Sequence, residues 1–191
     1  MGISRGRLFL VLALVLALAW LAGRPPGALP PPPLGAVPAP AERAAAPDWT
    51  LPNVGGGEAA SGDFRGRVLV LNFWATWCTP CRRELPALQA LHEALGDEGL
   101  AVVAVSVDGG DPDRVARFAG DHGVTFPVVH DPAEEVARRY AATAWPTTFV
   151  VDRSGHVVYG VAGAWDWSAP ETRVALRALL TPGGAGDATD Q

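Results

Sequence analysis

The chain has 191 residues, 49% hydrophobic and 18% charged, which favours one globular domain with appended segments. All 15 basic residues are arginine, so chemistry that needs a lysine, such as Schiff-base formation or a P-loop, is excluded. The net charge is −5 and no basic run is present, which argues against nucleic acid as a partner.

Residues 1–23 have the pattern of a membrane-targeting segment. Arg5 and Arg7 precede an unbroken apolar run over Leu8–Ala22, which would rise about 22 Å as a helix. An uncleaved signal anchor is favoured slightly over a cleavable signal peptide, for which residues 17–19 would be the cleavage site. Because the arginines stay inside, both interpretations place the rest of the chain outside the cytoplasm, and cleavage would make the protein secreted.

Composition divides the remaining chain into three parts. Residues 24–47 contain nine prolines with many Ala and Gly, a composition that favours an extended polyproline spacer. Residues 48–180 alternate β-branched runs with helical patterns and are predicted to form the folded domain. Residues 181–191 are mainly Gly, Asp and Ala and are predicted to be a disordered tail.

Within the domain, the pattern predicts five strands and four helices. The strands are placed at 67–74, 100–107, 125–130, 147–151 and 156–161. The first helix follows the first strand and carries leucines at 85, 88, 91 and 95, and the second is opened by Asp111-Pro112. The last two are placed at 133–140 and from a Ser168 cap to Leu180. Alternating strands and helices followed by a hairpin and a helix predict an α/β fold with a central mixed sheet flanked by helices.

The chain has two cysteines, and they form a Cys-x-x-Cys motif between an apolar strand and an amphipathic helix. Cys78 is expected at the helix N-terminus, where unpaired backbone N–H groups and the helix dipole lower the pKa of a thiol. Cys81, one turn deeper, would be shielded and act as the resolving thiol. Pro80 is tolerated in the first turn and stiffens the loop between the two sulfurs. The pair would exchange disulfides with a partner through a mixed disulfide.

Other uses of the two cysteines fit less well. A passive disulfide over three positions closes almost no loop and would add little stability. A zinc site needs two more ligands, and His92, His122, His130 and His156 lack a paired spacing. Covalent haem attachment needs His after the second Cys, where Arg82 stands. We therefore expect neither a metal nor another cofactor.

Three segments resemble the membrane-tethered thioredoxin-like thiol-disulfide oxidoreductases of the TlpA/ResA type. They are VLNFWATWCTPCRRELPAL at 70–88, WPTTF at 145–149 and VVDRSG at 150–155. The resemblance covers essentially residues 48–180 and implies a thioredoxin-like fold. Residues 108–140 match the helix-strand insertion that is typical of this branch.

The resemblance also implies roles for residues around the two cysteines. Pro146 would be the cis-proline that faces the disulfide and offers its backbone to a substrate strand. Glu84 matches an acidic residue near the active site that tunes thiol protonation, although one turn into a helix it is equally interpreted as a solvated carboxylate. Asn72 stands where thioredoxin has a buried acid, so proton transfer to Cys81 would use Glu84 or water. Trp77 would cover the disulfide and contact partners. Trp74 is expected in the core.

By family analogy, the substrates are proteins with disulfides, such as apocytochrome c before haem attachment or copper-assembly proteins. Outside the cytoplasm, electrons would come from a membrane dithiol donor, because no reductant pool exists there. The protein is expected to be a monomer on the periplasmic side of a bacterial inner membrane.

Two alternative functions remain open. One is a thiol-dependent peroxidase with antioxidant activity, but peroxide-reducing relatives have Thr three residues before the reactive Cys, and position 75 is Ala. The other is an oxidase that introduces disulfides, if the pair is held oxidised. A binding module without turnover is a third class, against which the two cysteines and Pro146 argue.

Overall fold

The computed structural model describes residues 43–181. The predicted targeting segment, most of the predicted spacer and the tail from residue 182 lie outside these residues. Within 43–181, no helix combines the length and the hydropathy that crossing a membrane requires.

The described region contains seven strands and four α-helices. The strands are β1 (Thr50–Pro52), β2 (Glu58–Ala60), β3 (Val68–Trp74), β4 (Leu100–Ser106), β5 (Val128–His130), β6 (Thr147–Val151) and β7 (Val157–Ala162). The helices are α1 (Thr79–Leu95), α2 (Pro112–Asp121), α3 (Glu135–Arg139) and α4 (Pro170–Leu180), with a 3₁₀ turn at Ser61–Phe64.

Five strands form a central mixed sheet in the order β5-β4-β3-β6-β7. β3 pairs in parallel with β4, and β4 with β5, whereas β6 is antiparallel to both β3 and β7. All seven residues of β3 and of β4 are buried, as expected for central strands that are covered on both faces. The predicted α/β fold with a mixed sheet flanked by helices, including the helix-strand insertion, is confirmed.

Helix α1 packs its predicted apolar face against the sheet. The leucines at 85, 88, 91 and 95 are at most 1% exposed, as their spacing of three or four residues predicts. A short segment of residues 75–78 joins β3 to α1. It lies at the carboxyl end of β3 and places Cys78 at the edge of the sheet.

Two elements of the insertion are shorter than predicted. Residues 125–130 were expected as a strand, but only Val128–His130 pair with β4, because Thr125 hydrogen-bonds through its backbone N–H and hydroxyl to Gln89 on α1. The helix expected at 133–140 spans Glu135–Arg139, because the side chain of Asp131 accepts the backbone N–H groups at positions 135–137 and fixes the first turn there.

The predicted Ser168 cap of the last helix is wrong. The helix begins at Pro170 with Ala169 as its N-cap, and it ends at Leu180 as predicted. The Ser168 hydroxyl instead donates to Asp166 Oδ1 at 2.5 Å within its own turn, so it does not accept a helix N–H.

The folded region extends into the segment that was assigned to the spacer. Arg43 forms an ion pair with Asp152 at 2.8 Å, and both side chains are at most 2% exposed. The backbone N–H of Ala46 donates to the carbonyl of Gly155 at 2.8 Å. The chain is therefore packed against the β6–β7 hairpin from residue 43, before the predicted domain start at 48.

The β1–β2 hairpin was not predicted. Its strands have three residues each and are joined by residues 53–57, in which Gly56 and Gly57 adopt the positive φ angles that glycine permits. Asn53, which follows β1, bridges to Val129 and so covers part of the open edge of β5.

Candidate redox site

The two cysteines form a disulfide at the start of α1. Cys78 is the N-cap of the helix, and its sulfur accepts the backbone N–H of Cys81 at 3.3 Å. Cys78 is 5% exposed and Cys81 is fully buried, so a partner can reach the disulfide only from the Cys78 side. Pro80 lies in the first turn of α1, where its missing N–H leaves no helical hydrogen bond unmade.

A buried polar cluster fixes the segment that leads into Cys78. Asp108 accepts the backbone N–H of Thr76 at 2.8 Å and the Thr76 hydroxyl at 2.5 Å. It also accepts the hydroxyl of Ser106 at 2.8 Å, and His130 Nε2 donates to its carbonyl at 2.7 Å. Thr76 follows β3, whereas Asp108 follows β4 and His130 ends β5. The cluster therefore joins the ends of three parallel strands beneath the reactive loop.

Glu84 is buried one turn after Cys81 on the same face of α1, since residues three apart are neighbours on a helix. Its Oε1 accepts Asn72 Nδ2 at 2.7 Å, and its Oε2 accepts the backbone N–H of Trp165 at 3.3 Å. Burial raises the pKa of Glu84 to about 7, although the hydrogen bonds from Asn72 and Trp165 act in the opposite direction. The solvated interpretation of Glu84 is therefore wrong.

The Trp145–Pro146 peptide bond is cis, as predicted. Pro146 is buried, and its carbonyl accepts the backbone N–H of Gly163 at 2.7 Å. Thr148, two residues further on in β6, accepts Asn72 Nδ2 at 2.9 Å. One asparagine therefore connects the cis-proline strand with the carboxylate beside the cysteines.

The two tryptophans near the motif have different environments. Trp74 is fully buried in β3, as expected, and its ring packs against Phe118 with centroids 5.6 Å apart. Trp77 is 61% exposed and directly precedes Cys78. An exposed indole next to the accessible cysteine is suited to contact a partner.

Several site residues were not found from the sequence. The sequence analysis gives Asp108 no role in the site, although a polar residue directly after a buried strand, at the edge of the sheet that carries the motif, is itself a signal. Trp165 could not have been found by its identity, because it contacts Glu84 through its backbone. Within residues 43–181, no three His, Cys, Asp or Glu side chains are grouped so that they could hold a metal ion.

A mixed sheet with a disulfide at the N-terminus of the helix after its central strand defines a thioredoxin-like thiol-disulfide oxidoreductase. The profile of the AhpC/TSA family matches residues 43–160, and the chain belongs to this thioredoxin-like family.

Relatives with assigned names agree with this class. The chain is 40% identical over 119 residues to "Thiol-disulfide oxidoreductase ResA" of Geobacillus kaustophilus, which covers 62% of this chain and 67% of that protein. It is 38% identical over 112 residues to "Thioredoxin-like protein YneN" of Bacillus subtilis, which covers 58% of this chain and 65% of that protein. The chain thus spans about two thirds of the length of these relatives and is of the ResA/TlpA type.

Solved structures agree as well. A thiol:disulfide interchange protein of the thioredoxin family from Chlorobium tepidum has a TM-score of 0.63 at 28% identity, covering 72% of this chain and 99% of that one. A DsbF homologue from Corynebacterium diphtheriae has a TM-score of 0.69 at 25% identity, covering 82% and 97%. The protein is a thiol-disulfide oxidoreductase with a Cys78–Cys81 disulfide.

Proposed function

We propose that this oxidoreductase reduces disulfides in protein substrates. The observation that carries the proposal is the asymmetry of the pair: Cys78 is at the rim beside an exposed Trp77, whereas Cys81 is fully buried behind it. A large substrate that approaches from outside can reach only one sulfur, and the other remains in reserve for the second step.

The reaction starts from the reduced pair. The Cys78 thiolate attacks one sulfur of the substrate disulfide, a mixed disulfide forms, and the other substrate sulfur leaves as a thiolate that takes up a proton. The N–H of Cys81, which points at the Cys78 sulfur, and the helix N-terminus favour the thiolate form of Cys78.

Glu84 takes part in the second step. Cys81 must lose its proton before it attacks Cys78, and the ionised Glu84 one turn away accepts that proton directly or through a water molecule. The Cys81 sulfur then forms a bond to Cys78, and the second substrate sulfur is released. A carboxyl with a pKa of about 7 is suited to this exchange, because both of its protonation states are populated near neutral pH.

Pro146 and Trp77 bind the substrate in this proposal. The backbone beside the buried cis-proline would pair with an extended substrate segment, and the Trp77 indole would cover its apolar part. Pro80 limits the movement of the loop between the two sulfurs.

The proposed setting of the reaction is supported by the N-terminal sequence. The chain would be tethered by residues 1–23 to the periplasmic side of a bacterial inner membrane, receive electrons from a membrane dithiol donor, and reduce apocytochrome c or copper-assembly proteins. The Arg5 and Arg7 pattern with the following apolar run supports the tether, and the names of the ResA relatives support the reaction class.

Insulin reduction tests the proposal. With a dithiol regenerating system, the full-length chain is expected to reduce insulin disulfides, and Cys78→Ser to lose this activity. A fully active Cys78→Ser variant would exclude the proposed nucleophile. Peroxide consumption as fast as dithiol turnover would instead support a peroxidase.

The direction of electron flow is tested by the reduction potential of the pair. A potential near that of thioredoxin, about −270 mV, supports a reductase. A potential near about −120 mV would support the introduction of disulfides and contradict the proposed direction.

A further inference from the structure

Asn72 is the one polar side chain in the buried strand β3. Within residues 43–181, both hydrogen bonds of its side chain run through Nδ2, to Glu84 Oε1 at 2.7 Å and to Thr148 Oγ1 at 2.9 Å. Burying a polar amide in a strand is unfavourable unless the amide is hydrogen-bonded, so packing alone does not explain an asparagine at this position.

The other end of the same amide has no partner in the part of the chain that the structure describes. Asn72 Oδ1 is buried and accepts no hydrogen bond from the described residues. Rotation of the amide by half a turn therefore breaks no bond at Oδ1, and it exchanges the positions of Oδ1 and Nδ2. In the rotated state, Oδ1 faces the same two oxygens, on Glu84 and Thr148.

Each amide orientation matches one charge state of Glu84. With Glu84 ionised, Nδ2 donates to the carboxylate and to the Thr148 hydroxyl. With Glu84 protonated, the rotated Oδ1 accepts the carboxyl O–H and the hydroxyl O–H of Thr148. Glu84 and Thr148 each hydrogen-bond the amide in either state, because a hydroxyl serves as donor or acceptor. In the rotated state, Nδ2 moves to the position where Oδ1 has no partner among the described residues.

We propose that Asn72 is a positioning residue that holds Glu84 in both protonation states by rotating its amide, and that Thr148 follows the rotation by changing from acceptor to donor. The proposal rests on the proton-accepting role of Glu84 proposed above. Thr148 is two residues after the cis-proline. The Thr148 hydroxyl would therefore accept a hydrogen bond from Asn72 when Glu84 is ionised and donate one to Asn72 when Glu84 is protonated.

Besides the Asn72 amide, the backbone N–H of Trp165 and the side chain of Trp167 act on Glu84, and both lower its pKa. On α1 the neighbouring titratable group is Cys81, and β3 and β6 contain no titratable side chain. In the segment that contacts Glu84 Oε2, the side chain of Asp166 is exposed and hydrogen-bonded to Ser168. The following helix α4 carries Arg173, which is half-buried.

Nuclear magnetic resonance of the full-length chain tests the rotation without a substitution at Asn72. Cross-relaxation between the Asn72 side-chain NH₂ protons and Thr148 is expected above the titration midpoint of Glu84, and it should be lost below that midpoint. Cross-relaxation of equal strength above and below the midpoint would overturn the proposal. The Glu84→Gln variant identifies the carboxyl signal of Glu84. In this variant, the cross-relaxation between the Asn72 NH₂ protons and Thr148 should no longer change with pH.

A second measurement uses Asn72→Leu, which is similar in size and cannot hydrogen-bond. Because the rotating amide binds both protonation states, its loss removes a hydrogen bond from each, and the Glu84 midpoint is expected to move upward by less than about one pH unit. In the Glu84→Gln background, the same substitution should leave the pH profile of cysteine alkylation unchanged. An upward shift well above one pH unit would show that the amide supports only the carboxylate and would contradict the proposal. Retained insulin reduction in Cys78→Ser would instead contradict the proposed function itself.

Discussion

The carboxylate of Asp108 holds Thr76 by two hydrogen bonds, one from its backbone N–H and one from its hydroxyl, at 2.8 and 2.5 Å. Thr76 is two residues before Cys78 and 32 residues before Asp108. Both residues follow parallel strands, β3 and β4, that pair along their whole length. The position of the reactive loop is therefore tied to the sheet rather than only to α1.

Asp108→Ala is expected to destabilise the protein and to slow catalysis. It leaves buried donors on Thr76 and Ser106 without an acceptor, at a cost of roughly 1–3 kcal/mol for each group. The looser Cys78 loop should slow insulin reduction about tenfold or more. Urea unfolding and steady-state rates measure both effects. Asp121→Ala, at an exposed aspartate on α2, is the control and should change neither, and equal effects in both variants would refute a special role of Asp108.

Glu84→Gln is expected to change how stability depends on pH. The folded chain keeps a proton on Glu84 up to about pH 7, whereas the unfolded chain releases it near the ordinary value of 4.5. The free energy of unfolding of the unmodified protein therefore falls as pH rises between these two values, by about 3 kcal/mol in total. The variant lacks this loss and should gain in relative stability above neutral pH.

Denaturant titrations at several pH values test this expectation. Glu93→Gln, at an exposed glutamate on the same helix, is the matched control and should parallel the unmodified chain. If the difference in unfolding free energy between Glu84→Gln and the unmodified chain stays constant from acid to alkaline pH, burial does not raise the pKa of Glu84.

Arg43→Ala is expected to lower the free energy of unfolding by about 3–5 kcal/mol, because it leaves the buried Asp152 carboxylate without its cation. Arg65→Ala removes an exposed ion pair with Asp48 at 3.5 Å, and it should cost less than about 1 kcal/mol. Guanidinium unfolding of the two variants compares them directly. Similar losses in both would show that residue 43 is not part of the folded domain.

Trp77→Ala is expected to separate activity from stability. The indole is 61% exposed, so its removal should change the unfolding free energy by less than about 0.5 kcal/mol, while the KM for a protein disulfide rises several-fold. Val174→Ala, at a 70% exposed position on α4, should alter neither quantity. An unchanged KM in Trp77→Ala would remove this side chain from the substrate-binding surface.

The sequence predicted best where a pattern is local. The leucine spacing of α1, the apolar runs of β3 and β4 and the position of Cys78 at a helix start all follow from neighbouring residues. Each of these elements appears in the structure within one or two residues of its predicted bounds.

Contacts between distant segments could not be predicted in this way. The burial of Glu84 depends on the backbone of Trp165, which is 81 residues away, and nothing in the helix itself indicates that cover. Arg43 lies in a Pro- and Ala-rich stretch. The composition of this stretch does not indicate the ion pair of Arg43 with Asp152, which is 109 residues later. Ser168 had the right residue type for a helix cap, but Asp166 took up its hydroxyl.

The central claim is that Cys78 attacks and Cys81 resolves, and trapping with Cys81→Ser tests it most directly. The full-length variant is reduced, mixed with a protein disulfide, quenched with acid and digested for mass spectrometry. A stable mixed disulfide that joins Cys78 to a substrate cysteine is the predicted product. Repeated absence of any such adduct, while the unmodified chain reduces the same substrate, would contradict the proposed order of the two sulfurs.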